Sequence, residues 1–266
     1  MRPLANQVAI VTGAGHPSGI GQAIAIKLAE DGATVVVSDL PKLQADLDRF
    51  AMELRGQGAK ALGMAADISM PEQIDACVTN TMDTLGRIDI LVNNAGVGAG
   101  SPYYVENTQA DWDLGYQVNL RGTALFCKAV LPIMEKQGGG VLINISSTAG
   151  LGATAGMPAP YVATKSAIVG LTKAIALEYG SKNIRAIAVC PGSVDTQMRL
   201  VALEVIAKAH QISVEEAAEL ENNDIALGRP AQPTEIADVV AYLAGPGASY
   251  VTGIAVPVAG GITLGL

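Results

Sequence analysis

Hydrophobic positions along the chain fall into two alternating rhythms. Short apolar runs rich in β-branched residues occur at Val8 to Val11, Thr34 to Val37, Ala61 to Ala65, Ile88 to Val92, Val141 to Ile145, Ile184 to Val189 and Ile254 to Val258. Between them, near residues 20–30, 42–55, 72–85, 110–135, 161–180 and 234–244, apolar residues recur every three to four positions. The first rhythm predicts buried strands and the second amphipathic helices. Strand–helix alternation of this kind builds βαβ units with right-handed crossovers, hence an α/β fold: a doubly wound, seven-stranded parallel sheet with helices on both faces. Ligands of such sheets bind beyond the carboxyl ends of the strands.

One stretch breaks the alternation. Residues 196–223 are helical in composition, with Val201-Ala202-Leu203 and Glu215-Glu216-Ala217-Ala218, and are inserted between a strand and the next helix. This insertion reads as a substrate lid, or as a packed surface excursion. With no repeats or low-complexity linkers, residues 1–266 form a single domain.

Composition narrows the function classes. Half of the residues are hydrophobic, 16% are charged and 30 are glycine, as suits a sheet buried on both faces and joined by tight turns. A net charge of -8 without a Lys/Arg cluster argues against a nucleic-acid partner. No apolar run is long enough to span a bilayer, so no membrane partner is expected. The first six residues, Met1 to Asn6, lack an apolar signal segment, and the expected location is cytoplasmic. Cys77, Cys127 and Cys190 are widely separated in apolar surroundings and read as buried thiols. His16 and His210 have no ligand cluster around them, so no metal site is expected.

Candidate chemistry sits at the strand ends. After the first strand comes Thr12-Gly13-Ala14-Gly15-His16-Pro17-Ser18-Gly19-Ile20-Gly21, opening a helix. Its glycines let the backbone approach a pyrophosphate, whose charge the free amides and the helix dipole favour. Such a loop also serves as a plain strand–turn–helix connection, but at the first βα junction it points to a dinucleotide. Asp39 ends the second strand eighteen residues beyond Gly21, where a carboxylate can hold an adenine-ribose diol and repel a 2'-phosphate. NAD is therefore the expected cofactor, Lys42 being assigned to a solvated helix start. Asp39 as a loop residue or helix cap is the alternative. Asp67 and Ile68 after the third strand, and Asn93, Ala95 and Gly96 after the fourth, offer further contacts, although Asn93 to Gly96 equally suit a tight turn.

Tyr161 and Lys165 stand four apart on one helix face. A cation beside a phenol favours the phenolate and lowers its pKa from about 10 toward the working range, making it a proton-transfer group. The spacing alone also fits a surface helix with incidental polar residues.

With these residues assembled, the chain resembles the short-chain dehydrogenase/reductase family over almost its full length, which implies a single-domain Rossmann fold. The resemblance rests on the glycine loop, Asn93-Asn94-Ala95-Gly96, Val118-Asn119, Ile145-Ser146-Ser147, Tyr161 with Lys165, and Pro191-Gly192, in the family's order. It implies that Tyr161 is the general acid/base, that Lys165 lowers its pKa and holds the nicotinamide ribose, that Ser147 binds the reacting oxygen and that Asn119 supports a proton-relay water. Ser146 is the rival to Ser147. The loop Pro191-Gly192-Ser193-Val194-Asp195-Thr196 would hold the carboxamide through its backbone and Thr196, which equally suits a helix cap. The implied cofactor-binding set is Gly13, Gly15, Ser18, Gly19, Ile20, Gly21, Asp39, Asp67, Ile68, Asn93, Ala95, Gly96, Tyr161, Lys165, Pro191, Gly192, Val194 and Thr196.

Three departures from the family pattern stand out. The glycine loop is two residues longer around His16-Pro17, Ser147 to Tyr161 spans one residue more, and Ala259 stands where relatives often carry aspartate. The resulting expectation is an NAD-dependent enzyme interconverting a secondary alcohol (a diol, polyol or sugar alcohol) and its ketone. The second half, including 223–230, looks similar to such dehydrogenases. The alternatives are a 3-oxoacyl or hydroxysteroid reductase, and a catalytically silent NAD-binding regulatory protein. Tyr103, Tyr104 and the 197–223 insert are expected at a small-molecule alcohol/ketone pocket, and the resemblance implies a homotetramer.

Overall fold

The computed structural model describes residues 2–153 and 156–262. Seven strands form one parallel sheet in the order β3-β2-β1-β4-β5-β6-β7. They are β1 (Val8–Thr12), β2 (Thr34–Asp39), β3 (Ala61–Ala65), β4 (Ile90–Asn93), β5 (Gly140–Ile145), β6 (Ile184–Pro191) and β7 (Ala255–Val258). The helices are α1 (Ile20–Glu30), α2 (Gln44–Gly56), α3 (Pro71–Leu85), α4 (Gln109–Gly115), α5 (Thr123–Gln137), α6 (Ala159–Tyr179), α7 (Gln197–His210), α8 (Val214–Asn223) and α9 (Pro233–Ala244). The order reverses between β1 and β4, which opens a crevice at the carboxyl ends there.

The two-residue strand period divides the core. Ala9, Val11, Val35, Val37, Ile90, Val92 and Ile143 pack with Ile24, Leu28, Phe50 and Val240 on one face. Val8, Ile10, Val36, Leu91 and Leu142 pack with Ile74, Phe126, Val130 and Ile175 on the other. Because both faces are covered, the strands read as continuous apolar runs, and each fully buried large side chain contributes about 1.5–3 kcal/mol. The three cysteines are unpaired and buried, and burial pushes the thiols of Cys77 and Cys127 up to about 11 and about 12. No helix among the described residues is long and apolar enough to cross a membrane.

Two segments refine the sequence expectations. The single helix expected over 110–135 is interrupted by a π-helical turn at Tyr116–Gly122. There the Asn119 side chain pairs with the backbone of Val97, accepting from its N–H at 2.8 Å and donating to its carbonyl at 3.0 Å. The Asn119 carbonyl accepts instead from the Thr123 hydroxyl at 2.8 Å. Side-chain competition of this kind widens a helix locally. The insertion at 196–223 is a pair of helices, α7 and α8, turned at Gln211 in the left-handed region (φ 55°) and packed through Leu203, Ala207 and Ala217. Arg199 ties the pair together, donating from Nε to Glu221 Oε2 at 2.7 Å and to Ser193 Oγ at 3.0 Å.

Candidate active site

Most residues singled out for the cofactor lie at or just beyond the carboxyl ends of the strands, and Asn119 and Lys165 reach the ends of β4 and β5 from helical segments. At the first junction, Gly13 adopts φ 67°, and a Cβ on it would come within 2.7 Å of Ala95 Cα. A Cβ on Gly21 would strike the Gly13 carbonyl, so the start of α1 rests directly on the loop. Thr12 and Asn94 lock this approach. The Thr12 hydroxyl accepts from the amides of Asn94 and Ala95, both at 3.0 Å, and Asn94 Nδ2 donates to the carbonyls of Thr12 and Gly13 at 2.9 and 3.1 Å. Thr12 and Asn94 sit inside the motifs quoted above, but their pairing joins residues 82 positions apart and has no local signal. His16, Pro17 and Ser18 are exposed, Ser18 with φ 63°.

The N-terminus of α1 is capped by Gly19 with no side-chain hydrogen bond, so its third amide, that of Gln22, lacks the side-chain partner that Thr196 and Ser213 give to α7 and α8. Asp39 stands beside the loop: its carboxylate accepts from the Gly15 amide through Oδ2 and from the Leu40 amide through Oδ1, each at 2.8 Å. Lys42 is exposed, as expected. Asp67 Oδ1 holds the Ser69 amide and hydroxyl at 2.9 and 2.7 Å, while the buried Ile68 packs close to Gly122. The Asn93 side chain turns inward and donates to Asn144 Oδ1 at 2.9 Å. Gly192 donates its amide to Val258 at 3.0 Å, continuing the β6–β7 pairing beyond Pro191, and Val194 is buried. Thr196 caps α7, accepting from the Arg199 amide at 3.4 Å.

Asn119, Ser147, Tyr161 and Lys165 converge. Lys165 is 5% exposed, its Nζ donates to the Ile145 carbonyl at 3.0 Å, and it lies 5.6 Å from the centre of the Tyr161 ring. A Cβ built on Gly96 would lie 3.2 Å from Asn119 Oδ1 and 3.4 Å from Lys165 Nζ, which places all three around one point. Asn119 Nδ2 also donates to Thr164 Oγ1 at 3.3 Å, tying the π-helical turn to α6. Ser147 lies beyond β5 with its hydroxyl accepting from the Ala149 amide at 3.1 Å. Ser146, the rival serine, is 3% exposed and its hydroxyl donates to the Lys165 carbonyl at 2.8 Å.

Electrostatics here is governed by burial. Loss of hydration pushes Lys165 down to about 8, with only the neighbouring Cys190 thiol opposing it. Loss of hydration raises the Tyr161 phenol as well, and the Ser147 side chain offsets part of the rise. The expected depression of Tyr161 by Lys165 is therefore not a property of the protein alone, since the ammonium is itself desolvated and directs a proton at Ile145. An uncapped helix start, a carboxylate at the tip of β2 and a buried ammonium without a carboxylate partner together fit a nicotinamide dinucleotide. Among the described residues there is no cluster of His, Cys, Asp or Glu suited to a metal.

Comparison with known proteins agrees with this geometry. The family described as enoyl-(acyl carrier protein) reductase matches residues 13–263, and the chain belongs to the short-chain dehydrogenase/reductase family of nicotinamide-dependent oxidoreductases acting on CH–OH or ketone groups. The chain is 37% identical over 259 residues to dehydrogenase/reductase SDR family member 4 of Oryctolagus cuniculus, covering 97% of this chain and 94% of that one. It is 35% identical over 261 residues to a 3-oxoacyl-(acyl-carrier-protein) reductase of Thermotoga maritima, covering 98% and 99%. Among solved structures, a variant of actinorhodin polyketide ketoreductase with NADPH superposes with a TM-score of 0.89 at 38% identity, covering 96% and 97%. Levodione reductase gives a TM-score of 0.89 at 35% identity, covering 97% and 98%.

Proposed function

We propose that the protein is an NAD-dependent oxidoreductase interconverting a secondary alcohol, a diol, polyol or sugar alcohol, and the corresponding ketone. The convergence of Ser147, Tyr161 and Lys165 beside Asn119 carries the reading. The glycine loop and the start of α1 hold the pyrophosphate, Asp39 the adenine ribose, and Pro191 to Thr196 the nicotinamide. A bound nicotinamide donates or accepts the hydride. Ser147 holds the substrate oxygen, and Tyr161 Oη gives it a proton in reduction or takes one in oxidation. Lys165 supplies positive charge beneath the phenol, and Asn119 fixes the path by which the proton is replaced. Residues 196–223 close over the substrate as a lid on a single catalytic domain, in a cytoplasmic homotetramer.

A second reading, reduction of a 3-oxoacyl or other ketone carried on an apolar body, is favoured by one feature: Met198, Val201 and Val205 form an exposed apolar stripe on α7. Two relatives named as a 3-oxoacyl reductase and a polyketide ketoreductase point the same way. One panel tests both. NAD and NADP are titrated against the protein, and turnover is followed with diols, sugar alcohols, 3-oxoacyl thioesters and steroid ketones. Turnover with NAD on a diol or sugar alcohol, lost in Tyr161→Phe, is the expected result. A preference for NADP overturns the role of Asp39, and a best substrate among the acyl thioesters selects the second reading. Tight NAD binding without turnover on any of them leaves a regulatory protein.

A further inference from the structure

Three consecutive residues at the end of β5 grip α6. Asn144 Nδ2 donates to Thr172 Oγ1 at 2.9 Å, the Ile145 carbonyl accepts from Lys165 Nζ at 3.0 Å, and Ser146 Oγ donates to the Lys165 carbonyl at 2.8 Å. Residues 165 and 172 are two turns apart, on the same face of α6. Asn144, Ser146 and Thr172 are 0%, 3% and 0% exposed. The direction of each bond is fixed by its partners. The Thr172 hydroxyl spends its only hydrogen on the Ile168 carbonyl at 2.7 Å and so meets Asn144 as an acceptor, while Asn144 Oδ1 is held by Asn93.

We propose that Ser146 and the Asn144–Thr172 pair are positioning residues, clamping α6 to β5 so that Tyr161 and Lys165 stand at the correct depth for proton transfer. The proposal rests on the assignment of those two residues above. The polar contacts occupy only the active-site end of β5. Val141, Leu142 and Ile143, earlier in the strand, are buried as plain apolar residues. Apolar packing tolerates a small slide of a helix along a sheet, whereas hydrogen bonds of fixed direction do not. Lys165 is held from both of its ends, side chain and carbonyl, by adjacent residues of the other element. Gly150 closes the clamp: a Cβ there would lie 2.5 Å from Ser146 Oγ and 2.7 Å from the Lys165 carbonyl oxygen.

The test compares Thr172→Val, which keeps the shape and removes the hydroxyl, with Thr172→Ser, which keeps the hydroxyl, and adds Ser146→Ala as an independent break. We expect kcat to fall on the order of tenfold or more in Thr172→Val and Ser146→Ala, with KM for NAD within about twofold, because small misplacements of reacting groups lose rate rather than binding. Thr172→Ser should restore kcat. A second readout needs no turnover: the Tyr161 phenol, labelled at 13Cζ and assigned by its absence in Tyr161→Phe, should titrate at a displaced pH in the two breaking variants and at the parental pH in Thr172→Ser. Parental kcat and titration in Thr172→Val and Ser146→Ala overturn the proposal, as does an equal loss in Thr172→Ser. Should Thr172→Val fail to fold, Ser146→Ala decides. If Tyr161→Phe itself retains turnover, the assignment of Tyr161 fails, and the titration still judges the clamp separately.

Discussion

Lys165 is the residue at which the fold and the proposed function pull apart. Its ammonium, ordinarily titrating near 10.5, is held near 8 by burial with no carboxylate to repay it. A lysine lowered in this way penalises the folded state fully below pH 8, where both folded and unfolded chains carry the charge, and the penalty fades as pH rises from 8 to 10.5. The shift corresponds to a penalty on the order of 3 kcal/mol. Lys165→Met should therefore unfold at higher urea than the parent at pH 7, with the gap closing above pH 10; equal midpoints at pH 7 would refute the penalty. Tyr161 is displaced the other way, upward, so it keeps its proton through neutral pH. Ketone reduction by the protonated phenol should be flat around neutrality, whereas alcohol oxidation, which needs the phenolate, should rise with pH. Initial rates in both directions across pH 6–10 check this sign. The types and spacing of these residues were legible in the sequence, but the directions of their shifts were not. Depth of burial depends on how β5, α6 and the loop at Gly96 close around Lys165, and no local pattern encodes that.

At the scale of elements, all seven strands were readable because β-branched runs such as Val35 to Val37 are buried on both faces. The π-helical turn at Tyr116–Gly122 escaped, since the apolar rhythm continues through it and its cause is the contact of Asn119 with Val97 twenty-two residues away. The α7–α8 pair was recognised as an insertion, but not the bond that holds it. Arg199 and Glu221 are 14% and 28% exposed, and a charged hydrogen bond at that depth contributes about 1.5–3 kcal/mol. Glu221→Gln should speed proteolytic cutting within 197–223 several-fold and raise KM for substrate more than KM for NAD. Unchanged cutting would remove the latch, and unchanged KM would remove the role of the insertion as a lid.

At the scale of the whole molecule, the strand order places the chemistry before any side chain is considered. The crevice between β1 and β4 receives the glycine loop from one side and the Asn93 to Gly96 loop from the other. Ser147 just beyond β5 and Pro191 at the end of β6 complete the rim. Assembly belongs to this scale too. Leu177 and Tyr250 leave large apolar surfaces exposed on the single chain, and a homotetramer should appear as a mass near four times 27.2 kDa in light scattering. A mass of one chain at micromolar concentration would remove that expectation.

The tight seat of Gly21 on Gly13 has a consequence for kinship. Both positions are required by the chain's own backbone contacts. A descendant that abandoned hydride chemistry would still be selected to keep these glycines, simply in order to fold. The fingerprint thus follows from the fold itself, whereas the buried lysine weakens its host and, on the proposed function, is kept for the reaction.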